Sequence, residues 1–110
     1  MIFIVVKFTI REGHSAQWLT QVEEFTRSTR AEEGNLFFEW STSDDDPHQF
    51  VLVEAFRDGD AGAAHVGSEH FAAAMAWMPD VVARTPEILN VEVPQDGWGE
   101  MGEITPRTPA

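Results

Sequence analysis

The chain of 110 residues contains no cysteine, which excludes disulfides, thiolate nucleophiles and cysteine metal sites. Basic residues are scarce: seven Lys plus Arg face nineteen Asp plus Glu, for a formal charge of -12. Nucleic acid and anionic membrane both demand a basic face, so neither is an expected partner. No apolar run approaches the roughly 20 residues of a membrane span. Met1 to Lys7 has neither the basic flank nor the length of a signal peptide. A phosphate loop, a dinucleotide fingerprint, a nucleophile elbow, internal repeats and low-complexity tracts are all missing. These absences leave an expected soluble, cytoplasmic protein, short enough for one domain with a modest core.

What is present is ordered. Ile2 to Ile10 alternates Ile4, Val6, Phe8 and Ile10 with Phe3, Val5, Lys7 and Thr9, which predicts a strand apolar on both faces. Ser15 is a candidate cap for a helix over about Ala16 to Glu32, in which Trp18, Val22, Phe25 and Thr29 share one stripe and Gly34 is the stop. Leu36 to Thr42 and Gln49 to Phe56 read as two strands joined by the polar turn Ser43-Asp44-Asp45-Asp46-Pro47-His48. In the first of these strands, alternation sets Asn35, Phe37 and Glu39 opposite Leu36, Phe38 and Trp40. Asp58 or Asp60 caps a short helix over Ala61 to Val66, Gly67-Ser68 interrupts it, and Ser68 caps another from Glu69 to about Trp77. Val81 to Ala83 reads as a short amphipathic continuation, and Glu87 to Val93 as a fourth strand.

The order β-α-β-β-α-β is the split βαβ pattern of a ferredoxin-like α+β domain, with an antiparallel sheet carrying helices on one face. A chain of this length has helix enough for one side only. Because the strands are apolar on both, the second face calls for a homodimer packed sheet to sheet. Residues 1–93 are expected to form the domain. Residues 94–110 are rich in proline and glycine yet hold Trp98, Met101 and Ile104, which a free tail has little use for. They read as an arm lying on a neighbouring surface, in particular on the partner subunit.

Among the groups able to do chemistry, His65 and His70 stand five residues apart, about 140° around a continuous helix, so only a break at Gly67-Ser68 brings them together. The spacing is not the i, i+4 of a helical metal pair, no third ligand is evident, and no metal is expected. Either histidine is suited to general acid–base work, or merely to bonding a backbone carbonyl. His14 and His48 fall in turns and are expected to be solvated. Glu39 and Glu54 occupy apolar strands, one of them either as a raised-pKa carboxyl or as an orienter for a histidine, or else both as partners of Arg11, Arg57 or Arg84 or of a group across the dimer. Asn35 either bonds a substrate oxygen or holds its turn. Trp40, Phe56, Phe71 and Trp77 belong to an aromatic supply divided between core and pocket wall.

The blocks Glu33-Gly34-Asn35-Leu36-Phe37-Phe38-Glu39 and Phe50 to Asp58, with His65 and Ser68-Glu69-His70-Phe71, resemble the antibiotic biosynthesis monooxygenase (ABM) family over about residues 1–93. The resemblance implies a dimeric α+β barrel. It also implies an oxygenase that attacks a quinol or polyphenol with dioxygen and without a cofactor, His65 and His70 being catalytic. Asn35, Trp40, Glu54, Phe56, Phe71 and Trp77 would then contact a small aromatic substrate. The alternatives are a non-catalytic dimeric module binding a small aromatic or haem-like ligand, and an isomerase of a small ketone. Two departures bear on these. Phe56 stands where a tryptophan is usual. The haem-degrading branch carries an Asn–Trp–His set whose asparagine lies on the first strand, where this chain offers only Lys7. One lysine and six arginines leave little to hold a phosphate.

Overall fold

In the computed structural model, which describes residues 1–109, four strands form one antiparallel sheet. Strand β1 is Ile2–Thr9, β2 Asn35–Thr42, β3 Gln49–Phe56 and β4 Glu87–Glu92, in the spatial order β2-β3-β1-β4. The strand richest in β-branched and aromatic residues, β1, takes a central place with β3, where a neighbour pairs along each edge. The ferredoxin-like α+β fold anticipated from the element order is therefore the one adopted.

The register sorts the side chains. Ile4 pairs with Glu54, Val6 with Leu52 and Phe8 with Phe50, and β2 sets Phe38 beside Glu54 and Trp40 beside Leu52. This face is covered by helices and holds the core, where Ile4, Val6, Phe8, Phe38, Phe50, Leu52 and Phe56 are all buried. Helices α1 (Trp18–Gln21) and α2 (Glu23–Arg30), with Val22 between them, contribute Trp18, Val22 and Phe25. Trp18 is fully enclosed, with the rings of Phe8, Trp77 and Trp40 at 5.3, 5.6 and 5.7 Å. On the opposite, outer face Phe3, Phe37, Val5, Val51 and Val53 are only half-buried, and Leu89 and Val91 are exposed.

Several local features depart from the sequence pattern. The stripe Trp18–Val22–Phe25–Thr29 implies one helix, but the chain enters through a 3-10 turn, Ser15–Gln17, and α1 and α2 are separated at Val22, where ψ is 4°. Val22 N still donates to the Trp18 carbonyl at 3.0 Å, and Thr26 N to the Val22 carbonyl at 2.8 Å, so the apolar face runs through the break. Ser15 does not cap; its hydroxyl bonds His48 Nδ1 at 2.8 Å, and His48 is half-buried rather than solvated. Val81 to Ala83 does not continue a helix: Val81 closes the 3-10 turn Met78–Asp80, Val82 bridges Ile10, and Ala83 N donates to the Thr9 carbonyl at 2.8 Å. The register also shifts between Asn35 and Phe37, where β2 spends one extra residue against β3. Asn35 thus pairs with Phe56 and leaves the face shared by Phe37 and Glu39.

Past β4 the chain turns back over the outer face. The Met1 nitrogen donates to the Val93 carbonyl at 2.7 Å, and the Trp98 ring lies 5.1 Å from that of Phe37. Trp98, Met101 and Ile104 each remain more than three-fifths exposed, at 69%, 65% and 68%. Ala110, the last residue of the expected arm, lies outside the described residues.

Candidate functional site

The site begins with the connection from β3 into the helices. Helix α3 (Gly59–Val66) is capped by Asp58, whose carboxylate accepts from Ala61 N at 2.8 Å; that bond holds the Asp58 carboxyl below its ordinary range. Gly67 ends α3. Ser68 then does two things: its hydroxyl donates to the His65 carbonyl at 2.6 Å and accepts from Phe71 N at 3.2 Å, which opens helix α4 (Glu69–Trp77). The break changes the helical phase. His65 and His70, on opposite sides of a continuous helix, here have ring centroids 5.9 Å apart.

What joins them is Glu32, in the turn between α2 and β2. Its Oε2 accepts from His65 Nδ1 at 2.7 Å and from His70 Nε2 at 2.5 Å. His65 is buried in a box of rings formed by Phe56, Phe71 and Phe25, with centroids at 4.8, 5.2 and 5.8 Å. Across the ring, His65 Nε2 faces Glu54 Oε1 at 3.9 Å, beyond direct hydrogen-bond reach. Glu54 is buried with no arginine beside it. Arg11 is bonded to backbone carbonyls, Arg57 meets Glu33 and Asp58, and Arg84 meets Glu87. Burial, and secondarily the nearby Glu32 carboxylate, push the Glu54 carboxyl up to about 7. Of the two readings of Glu54, pairing with arginine fails within the chain, and placement beside a histidine holds.

Beside this pair is a cavity of about 290 Å³ between the sheet and the helices. Ile4, Val6, Phe8 and Leu52 form its floor, Phe25, Phe71, Met75 and Met78 its walls, and Ile88, Asn90 and Pro86 its β4 side. Among the described residues, Glu54 and His65 are the only ionisable side chains lining it, and Asn90 is the only amide. Register explains Asn90: it pairs with Ile4, which pairs with Glu54, so all three share one row on the helix face.

The residues singled out from sequence divide accordingly. His65, Glu54 and Phe71 line the cavity, while Phe56 supports the His65 ring without lining it. His70 does not line it and meets His65 through Glu32. Asn35 is not at the cavity: its side-chain amide donates to the Phe37 and Ala55 carbonyls at 3.0 and 3.2 Å, closing the bulge. Trp40 lies in the aromatic core and donates to Thr26 Oγ1 at 2.9 Å, and Trp77 packs on Trp18; neither lines the cavity. Glu39 is exposed on the outer face. Two residues were missed. Nothing in the helical pattern marks Glu32, and Asn90 is signalled only by its alternation with Leu89 and Val91.

Glu32, His65 and His70 do supply a third ligand where none was evident from sequence, with ligand atoms within 4.8 Å of one another. Two atoms bound to one tetrahedral zinc at about 2.0–2.2 Å stand roughly 3.4 Å apart. Here the carboxylate oxygen is at 2.7 and 2.5 Å from the two nitrogens, the spacing of charge-assisted hydrogen bonds. The set is closed on itself as a hydrogen-bonded cluster.

Fold and site together define a ferredoxin-like α+β domain with an apolar cavity and a carboxylate–histidine set at its wall. The family model for antibiotic biosynthesis monooxygenase matches residues 1–77, and the chain belongs to this family. Solved structures agree on the fold. An antibiotic biosynthesis monooxygenase is 20% identical, with a TM-score of 0.77 over 84% of this chain and 98% of its own. Rv0793 from Mycobacterium tuberculosis is 22% identical, with a TM-score of 0.79 over 89% and 98%. SO0527 from Shewanella oneidensis is 24% identical, with a TM-score of 0.76 over 82% and 87%. A comparison with curated proteins finds no match. Among the described residues, no helix is long and apolar enough to cross a membrane.

Proposed function

We propose that the protein is a cofactor-independent monooxygenase that oxidises a small quinol or polyphenol with dioxygen. The observation that carries this is the cavity: apolar in its walls, with Glu54 and His65 as its only ionisable groups. A quinol hydroxyl placed there gives its proton to His65 Nε2. The imidazolium formed lies between the Glu32 carboxylate at 2.7 Å and the Glu54 carboxyl group at 3.9 Å. Asn90 on the β4 side is the amide that would donate to the second substrate oxygen as negative charge builds. The electron-rich anion then reduces dioxygen, and the protein supplies orientation within apolar walls. For a naphthohydroquinone the balance is quinol plus dioxygen giving a hydroxynaphthoquinone plus water: one oxygen atom is inserted, the other is reduced, and the ring loses two hydrogens.

The cavity, about 290 Å³ and open on its β4 side, is close to the lower end of the roughly 300–1,000 Å³ usual for small-ligand sites. The test is oxygen uptake by metal-free protein with one-, two- and three-ring hydroquinones. Uptake above autoxidation with at least one of them, abolished in His65→Gln, is expected. Uptake no faster than autoxidation with every compound removes the oxygenase reading. If ligand nevertheless quenches tryptophan fluorescence, the protein is a binding module.

The outer sheet face supports a homodimer as the working unit. Phe3, Val5, Phe37, Val51, Val53, Leu89 and Val91 form a continuous apolar surface that no helix of the same chain covers. Residues 94–104 continue that surface past the end of β4 and are proposed to lie against the second copy.

A further inference from the structure

We infer that Glu32 is a positioning residue that fixes the tautomer of His65, and that His70 acts on Glu32 rather than on substrate. Its importance for turnover rests on the oxygenase reading; the arrangement itself does not. For His65 to take a proton from the cavity, Nε2 must be bare and Nδ1 must carry the hydrogen. The aromatic box fixes where the ring lies but is indifferent to which nitrogen is protonated. Only polar neighbours decide that, and His65 has two: Glu32 Oε2 at 2.7 Å on Nδ1, and Glu54 Oε1 at 3.9 Å on the Nε2 side. Only the first is within hydrogen-bond reach, so Nδ1–H donates to Glu32 and Nε2 is left open toward the cavity.

A carboxylate on a turn is not by itself an orienter, because it has rotamers to explore. Glu32 is held by a second donor, His70 Nε2 at 2.5 Å on the same oxygen. The side chains become more open away from the cavity: His65 is 5% exposed, Glu32 17% and His70 23%. His70 therefore reaches Glu32 from the solvent side and does not line the cavity. The logic parallels that of a nucleophile–base–orienter set, in which the third member fixes which nitrogen is free. Here a fourth member fixes the third.

The experiment is nitrogen-15 NMR of histidine-labelled full-length protein without substrate, which reads each tautomer directly. In the wild type, His65 should be in the Nδ1–H form. Glu32→Gln removes the charge and should give a mixture of tautomers. His70→Leu frees Glu32 and should do the same, whereas His70→Gln, whose amide can still donate to the carboxylate, should restore the Nδ1–H form. An Nε2–H form of His65 in the wild type overturns the inference, as does a tautomer unchanged in both Glu32→Gln and His70→Leu. Should Glu32→Gln fail to fold, the contrast between His70→Leu and His70→Gln decides alone. Once a substrate is known, Glu32→Gln should lower kcat on the order of 10²-fold with KM little changed. Absence of any oxygenase activity would leave the tautomer result standing, so the two readings fail separately.

Discussion

Replacing Glu54 by glutamine should make the protein more resistant to rising pH. In the unfolded chain the carboxyl titrates near 4.5, and in the folded protein near 7. Folding therefore favours the protonated form. The stability tied to that proton is fully present below about 4.5 and is lost as pH rises through about 7. At about 1.4 kcal/mol per unit, the loss between the two limits is about 3 kcal/mol. A glutamine at this position cannot ionise and does not share the loss. Urea unfolding of both proteins from pH 5 to pH 8, at one fixed protomer concentration so that any association contributes equally, gives the difference directly. The stability of Glu54→Gln relative to wild type should climb across that range by most of the roughly 3 kcal/mol. A Glu32→Gln background should shrink the climb, because Glu32 is the second cause of the shift. Stability curves that stay parallel from pH 5 to pH 8 would refute the reasoning, and would mean that the Glu54 carboxyl is hydrated in the folded protein.

Two further outcomes follow from contacts already described. A Cβ added at Gly34 would lie 2.3 Å from Ala61 Cβ, so Gly34→Ala must push the α2–β2 turn off α3. It should lose about 1–3 kcal/mol in urea unfolding, and an unchanged midpoint would show that the turn yields freely. In the proposed homodimer, Trp98→Ala should raise the dissociation constant about tenfold or more, read by light scattering over a dilution series; a mass independent of the substitution would leave the arm without a role in association.

The architecture was legible because strand alternation survives without tertiary knowledge. Ile4, Val6 and Phe8 share one face as their spacing requires, although spacing alone does not say that it is the face under the helices, and the apolar character of both faces of β1 and β3 correctly identified a sheet with a side left uncovered by its own helices. Periodicity reports which face a residue occupies, not whether the hydrogen-bond ladder is continuous, and so Val22 passed as mid-helix. A one-residue bulge inverts the parity of everything before it. That is why Asn35 was grouped with Phe37 and Glu39, when its amide in fact closes the bulge. The site was half legible. His65 and His70 were expected to meet only if Gly67-Ser68 broke the helix, and it does. Glu32 was invisible because it lies in a turn, where no period applies and a charged residue is the rule. Asn90 was readable only as an interruption of an apolar strand, a pattern with many ordinary causes.

The clustering of indoles has an optical consequence. Trp18, Trp40 and Trp77 lie in one assembly on the helix side, Trp18 being close to both others, at 5.7 and 5.6 Å. Trp98 stands apart on the outer face against Phe37. Electronic coupling among close, fixed transition dipoles appears as a paired signal in near-ultraviolet circular dichroism, and vanishes when the core loosens. The isolated indole contributes emission sensitive to whatever covers the outer face. One chain thus carries two natural probes with separate signals, one for the integrity of the wall behind the cavity and one for the outer face of the sheet.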